Sequence, residues 1–216
     1  MNIVKNFELI KKNLPNDIQI IAVSKTKSNE EILQIYDVGH RDFGENRIQE
    51  LKEKYDKLPK DIKWHMIGHI QKNKVKHIAP FIDLIHSVDS YKLLNEINKQ
   101  GIKNKRIIKC LLQIKIAKEE SKFGLLKNEI EDLISLSSDL NNINIIGLMG
   151  MATFTNNQDI INSEFKEIST LFENLKILYP KFSFLSIGMS NDYLIAMKYG
   201  SNMVRIGSQI FGERNK

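Results

Sequence analysis

Along these 216 residues a short β-branched or apolar run gives way to a polar or glycine-bearing break and then to an amphipathic stretch, and this unit repeats about eight times. The runs at 18–24, 42–43, 64–67, 84–88, 107–114, 145–148, 184–187 and 203–206 are read as strands. Helical spacing marks 3–13, 91–100, 127–137 and 160–178, and Ser28 is placed as the cap of a helix carrying Ile32, Leu33, Ile35 and Tyr36. Strands alternating with helices build a parallel sheet, either open and doubly wound or closed into a barrel. No Gly/Ser/Pro linker divides the chain, so the expectation is one α/β domain over 1–216, a small (β/α)8 TIM barrel, with the open sheet as the alternative.

Composition excludes several classes. With 42% hydrophobic and 27% charged residues the chain has material for a core, and disorder is ruled out. No run approaches the roughly 18 apolar residues of a membrane span. The opening Met1-Asn-Ile-Val-Lys-Asn-Phe-Glu lacks an apolar export core, so a cytoplasmic protein with no membrane partner is expected. One cysteine, Cys110, excludes an internal disulfide framework, and its place in Ile107-Ile-Lys-Cys-Leu-Leu reads as a core strand position rather than a reactive thiol. The net charge of +6 is almost all lysine and is scattered. Its densest cluster, at 72–76, has no interleaved aromatics on which bases stack, so no nucleic-acid partner is expected.

In such a barrel the carboxyl ends of the strands form one rim, and the loops there carry function. Here those ends run into Lys25-Thr26, Gly44-Glu45-Asn46-Arg47, Gly68-His69, Met149-Gly150-Met151, Gly188-Met189-Ser190-Asn191-Asp192 and Gly207-Ser208-Gln209. The last two suit a phosphate: glycine admits close approach, a hydroxyl follows, and a helix start offers unpaired N–H groups. Taken singly, each Gly and Ser is also an ordinary loop and cap; together they fall where barrels of this kind bind phosphate. Lys25 continues the run Ile21-Ala22-Val23-Ser24 and shares the face of Ile21 and Val23 that alternation turns inward. There, partly desolvated, it can lose its proton and attack a carbonyl; the competing reading is a solvated surface charge. A phosphate site and a Schiff-base lysine together suggest pyridoxal phosphate.

The segments Ala22-Val23-Ser24-Lys25-Thr26-Lys27, Phe43-Gly44-Glu45-Asn46 with Gln49-Glu50, and Trp64-His65-Met66-Ile67-Gly68 with Gln71 and Asn73-Lys74 closely resemble the YggS/PROSC family of pyridoxal phosphate homeostasis proteins. Lys122-Phe123-Gly124, Gly147-Leu148-Met149, Leu185-Ser186-Ile187-Gly188-Met189-Ser190 and the stretch from Met203 to Gly212 extend the likeness over essentially the whole chain. The resemblance implies the alanine racemase N-terminal-domain barrel (pyridoxal phosphate fold type III) and pyridoxal 5′-phosphate as cofactor. By it, Lys25 holds the cofactor covalently and Asn46 lies beside the ring. Ser190, Gly207 and Ser208 hold the phosphate, and Arg205 faces the pyridine nitrogen. Lys122 matches a second family lysine near the site mouth and reads equally as a loop charge. Asn191 precedes Asp192 where the family often has Asp directly after the Met-Ser, which leaves any role for that carboxylate in doubt.

Met149 and Met151 are read as wall packing around the ring, with plain core as the other reading. Glu45 is read as a capping carboxylate for the next helix rather than a catalytic acid, and Trp64 and Phe43 as core. The five histidines lack ligand spacing, so no metal is expected. The resemblance implies a carrier or regulator that buffers or supplies the cofactor, with pyridoxal-dependent apoenzymes as partners. The alternative is a stand-alone amino-acid racemase, which needs an acid/base group on each face of the substrate α-carbon. Alanine racemases take the opposing tyrosine from a C-terminal β domain. This chain ends at Lys216, just past the last barrel loop, so no such domain, no catalytic residue and a monomer are expected. Tyr193 is the tyrosine placed nearest the ligand.

Overall fold

The computed structural model describes residues 2–117 and 123–213. Eight parallel strands pair in chain order: β1 (Gln19–Val23), β2 (Asp42–Glu45), β3 (Lys63–Met66), β4 (Leu84–Val88), β5 (Ile108–Ile114), β6 (Ile143–Gly150), β7 (Phe184–Met189) and β8 (Met203–Ile206). β8 returns to β1, setting Gln19 opposite Met203 and Ile21 opposite Arg205, and this ladder closes the barrel and removes the open-sheet alternative.

The helices are α1 (Ile3–Asn13), α2 (Asn29–Asp37), α3 (Ile48–Lys57), α4 (Tyr91–Lys103), α5 (Ile130–Leu136), α6 (Gln158–Leu178), α7 (Tyr193–Lys198) and α8 (Ser208–Phe211). A 3-10 stretch, Lys72–His77, joins β3 to β4, and another, Lys127–Glu129, leads into α5 where the sequence suggested one continuous helix. Ser28 starts α2 with a reciprocal cap: its hydroxyl accepts from the Glu31 N–H (3.2 Å) and the Glu31 carboxylate accepts from the Ser28 N–H (2.8 Å). Among the described residues no helix is long and apolar enough to cross a membrane.

Period-two alternation sorts the strand side chains. Phe43, Trp64, Ile85, Leu148 and Val204 face the helices, while Ile21, Leu84, Leu111, Ile146, Met149 and Met203 pack together as an inner layer. Cys110 is buried in the outer layer, and burial pushes its thiol up, which keeps it inert. The β5–β6 register shifts at Cys110/Leu111, where Gly147 takes φ 156°; a Cβ there would overlap the Phe184 carbonyl. Because of this bulge Ile146 and Met149, three residues apart, both turn inward.

Candidate functional site

The carboxyl mouth of the barrel opens into a cavity of about 820 Å³. Lys25, Asn46, Ser190, Arg205, Gly207 and Ser208 all line it, with Val23, Ile67 and Met151 among the apolar wall. Met149 does not. It is fully buried in the inner layer with Ile21 and Leu84, and the cavity-lining methionines are Met151, two residues nearer the mouth just past β6, and Met189 at the end of β7. Lys25 follows β1 by two residues, and Lys27 also lines the cavity, its ammonium donating to the Phe211 carbonyl (2.9 Å) beside Glu31 (3.6 Å). Asn46 approaches β3 so closely that a Cβ on Gly68 would meet its backbone, which is why glycine stands there. Lys122 lies outside the described residues.

The loops after β7 and β8 are stitched together. The Ser190 hydroxyl accepts from the Gly207 N–H (3.2 Å), and the Ser190 carbonyl accepts from the Gln209 side-chain amide (2.6 Å). Two Gly and Ser loops separated in sequence thus form one surface bearing hydroxyls and first-turn N–H groups. α8 is a single turn, so its part is local hydrogen bonding rather than a long helix dipole. Asp192 turns back on its own loop, accepting from the Met189 N–H (2.5 Å).

Arg205 ends a polar chain through the barrel interior. It donates to the Ser186 carbonyl (2.6 Å), the Ser186 hydroxyl (2.7 Å) and the Gly150 carbonyl (2.9 Å). From Ser186 the chain passes to His86 Nδ1 (3.2 Å), from His86 Nε2 to His65 Nδ1 (3.0 Å), and from His65 Nε2 to Asp42 Oδ1 (3.1 Å). A guanidinium only donates and an ionised carboxylate only accepts, which fixes the two ends of the chain, while the Ser186 hydroxyl between them can both accept and donate. Burial, reinforced by His65 and Arg205, holds His86 well below the ordinary histidine range. Burial also draws Arg205 down, to about 10, which leaves it charged at neutral pH.

Sequence reasoning missed this chain, although Trp64-His65-Met66 and Ile85-His86-Ser87 place both histidines on the inward phase of adjacent strands. It also misread Glu45. Rather than capping α3, Glu45 is fully buried, accepting from the Ser24 hydroxyl (2.6 Å) and the Lys54 ammonium (2.8 Å). Burial pushes its carboxyl up to about 7 against the opposing pull of Lys54 and Ser24. His69, also unassigned from sequence, sits on the cavity wall with Nδ1 3.1 Å from Asp89 and its ring stacked on Phe123 at 4.1 Å. Tyr193 is buried among apolar side chains and is not on that wall.

A family model described as the N-terminal domain of alanine racemase matches residues 1–215. The chain is 36% identical over 206 residues to a pyridoxal phosphate homeostasis protein of Vibrio alginolyticus, covering 93% of this chain and 88% of that one. A protein of the same description from Aquifex aeolicus is 35% identical over 201 residues, covering 92% and 88%. PipY of Synechococcus elongatus PCC7942, solved with PLP bound, superposes with a TM-score of 0.90 at 31% identity over 98% of this chain and 100% of PipY. An alanine racemase of Clostridium difficile 630 shares the fold at 16% identity and a TM-score of 0.81, over 100% of this chain and 57% of that one.

Proposed function

The chain belongs to the pyridoxal phosphate homeostasis protein family, and on that premise we propose that it holds pyridoxal 5′-phosphate in the mouth cavity and buffers or supplies it without turning over amino acids. The residues present fit that group. Arg205 supports this most directly: its bonds go to neutral oxygens of Ser186 and Gly150, and its other N–H donors remain for an acceptor in the cavity. The cofactor supplies an aldehyde carbon that a neutral primary amine attacks, the aldehyde oxygen leaving as water.

Lys25 is the amine for that role, and the Ser190, Gly207 and Ser208 surface receives the phosphate. Arg205 offers a hydrogen bond to a ring nitrogen but keeps its own proton, so it favours the unprotonated ring, the weaker electron sink. A racemase would need a second acid/base group facing Lys25, and the buried Tyr193 is not placed to supply it. We further propose a cytoplasmic monomer that passes cofactor to pyridoxal-dependent apoenzymes. Titration with pyridoxal 5′-phosphate and with pyridoxal tests the reading. Two charge-assisted hydrogen bonds to phosphate should favour the ester about a hundredfold or more. Equal affinities would overturn it.

A further inference from the structure

Lys25 lies between two residues whose backbones are fastened by one buried ammonium. On one side, Ser24 donates its hydroxyl to Glu45 (2.6 Å) and gives its carbonyl to Lys54 Nζ (2.7 Å). On the other, the Thr26 N–H donates to Glu50 Oε1. Lys54 joins the two sides, donating also to Glu45 Oε1 (2.8 Å) and Glu50 Oε1 (2.7 Å), so its three N–H groups meet three acceptors. Its side chain is only 7% exposed, an uncommon place for a lysine. Thr26 takes φ 65°, a conformation that a β-branched residue holds only where its surroundings impose it. Nothing in the cavity chemistry described above uses Lys54, Glu45 or Glu50, and none of the three lines the cavity.

We propose that Lys54, shared between Glu45 and Glu50, is a positioning residue that fixes the Ser24-Lys25-Thr26 backbone and so aims the Lys25 amine into the cavity. This rests on the cofactor reading above. A primary amine on a flexible stem reaches many points, and anchoring the backbone on both sides of it limits that range. The amine–aldehyde bond is the interaction most sensitive to such aim, whereas phosphate and ring contacts come from other strands.

The test compares two ligands on each variant: pyridoxal 5′-phosphate, and pyridoxine 5′-phosphate, which has an alcohol in place of the aldehyde and reports the rest of the cavity. The wild-type chain should bind both, the aldehyde more tightly. In Lys54→Met and Glu50→Ala the preference for the aldehyde should fall by about tenfold or more, while pyridoxine 5′-phosphate affinity stays within about twofold. Borohydride-fixed label should spread from Lys25 to Lys27, and Lys54→Arg should restore part of the preference. If Lys54→Met does not fold, Glu50→Ala decides, since the Glu50 side chain is 24% exposed and its truncation is tolerable. An unchanged preference in a folded variant overturns the proposal, as does equal weakening of both ligands, which marks a merely structural role. Failure of the wild-type chain to bind either ligand would instead refute the cofactor reading.

Discussion

Replacing His86 by Phe keeps a flat ring of similar size in the barrel interior but cuts the polar chain between Arg205 and Asp42. The loss is read from the two atoms left behind. The Ser186 hydroxyl loses its partner at 3.2 Å, and His65 Nδ1 loses its partner at 3.0 Å, both in residues with no solvent exposure. A buried polar group stripped of its partner costs about 1–3 kcal/mol, so His86→Phe should lose about 2–6 kcal/mol. That is a large share of the roughly 5–15 kcal/mol by which domains are stable. Phe is the bulkier ring, so overpacking in the closed interior adds to this loss rather than offsetting it. Urea unfolding followed by circular dichroism near neutral pH measures the difference, and the slope against denaturant should stay unchanged. A loss below about 1 kcal/mol would show that the chain of hydrogen bonds is not what holds these groups.

Acid stability and catalysis give two further tests. Between the ordinary carboxyl value of 4.5 and about 7, the folded chain keeps a proton on Glu45 that the unfolded chain has released, so Glu45 favours the fold at lower pH and loses that contribution as pH rises through 7. His86 acts oppositely: buried and neutral, it declines the proton that the unfolded chain binds below 6.5. Glu45→Gln removes the first effect alone, so its stability should drop more steeply than the wild type from pH 6.5 to 4.5, by up to about 1.4 kcal/mol per pH unit; parallel profiles would contradict this. Cofactor-loaded protein should interconvert L- and D-alanine negligibly by chiral chromatography. Robust racemisation abolished by Lys25→Ala would refute the carrier reading, and its loss in His69→Gln would identify the Asp89-paired histidine as the second base.

The fold was legible because every strand announces itself locally. The runs ending at Val23 and Ile206 are β-branched, Ser28 and Glu31 stand at capping spacing, and the Gly and Ser pairs fall at strand ends. The place of Lys25 on the cavity wall was legible because period-two alternation from Ile21 survives to the mouth. Met149 was misplaced because the number of residues by which a strand overshoots its inner layer depends on register, and the bulge at Gly147 is visible only once β5 lies beside β6. Glu45 was misread because its partner, Lys54, is one of many lysines. The pairing arises from the turn that lays α3 against β2, within reach of the Ser24-Lys25-Thr26 segment, although Glu50 and Lys54 at i,i+4 gave half of the cluster. The histidine chain needed neighbouring strands in register, which alternation within one strand does not supply.

The central claim is that Lys25 is the amine that holds the cofactor. Protein loaded with pyridoxal 5′-phosphate, reduced with borohydride, digested and mapped by mass spectrometry tests it most directly. The pyridoxyl mass should lie on Lys25 and vanish in Lys25→Ala without loss of secondary structure. Label centred on Lys27 in the wild-type chain, or undiminished label in Lys25→Ala, would contradict the account.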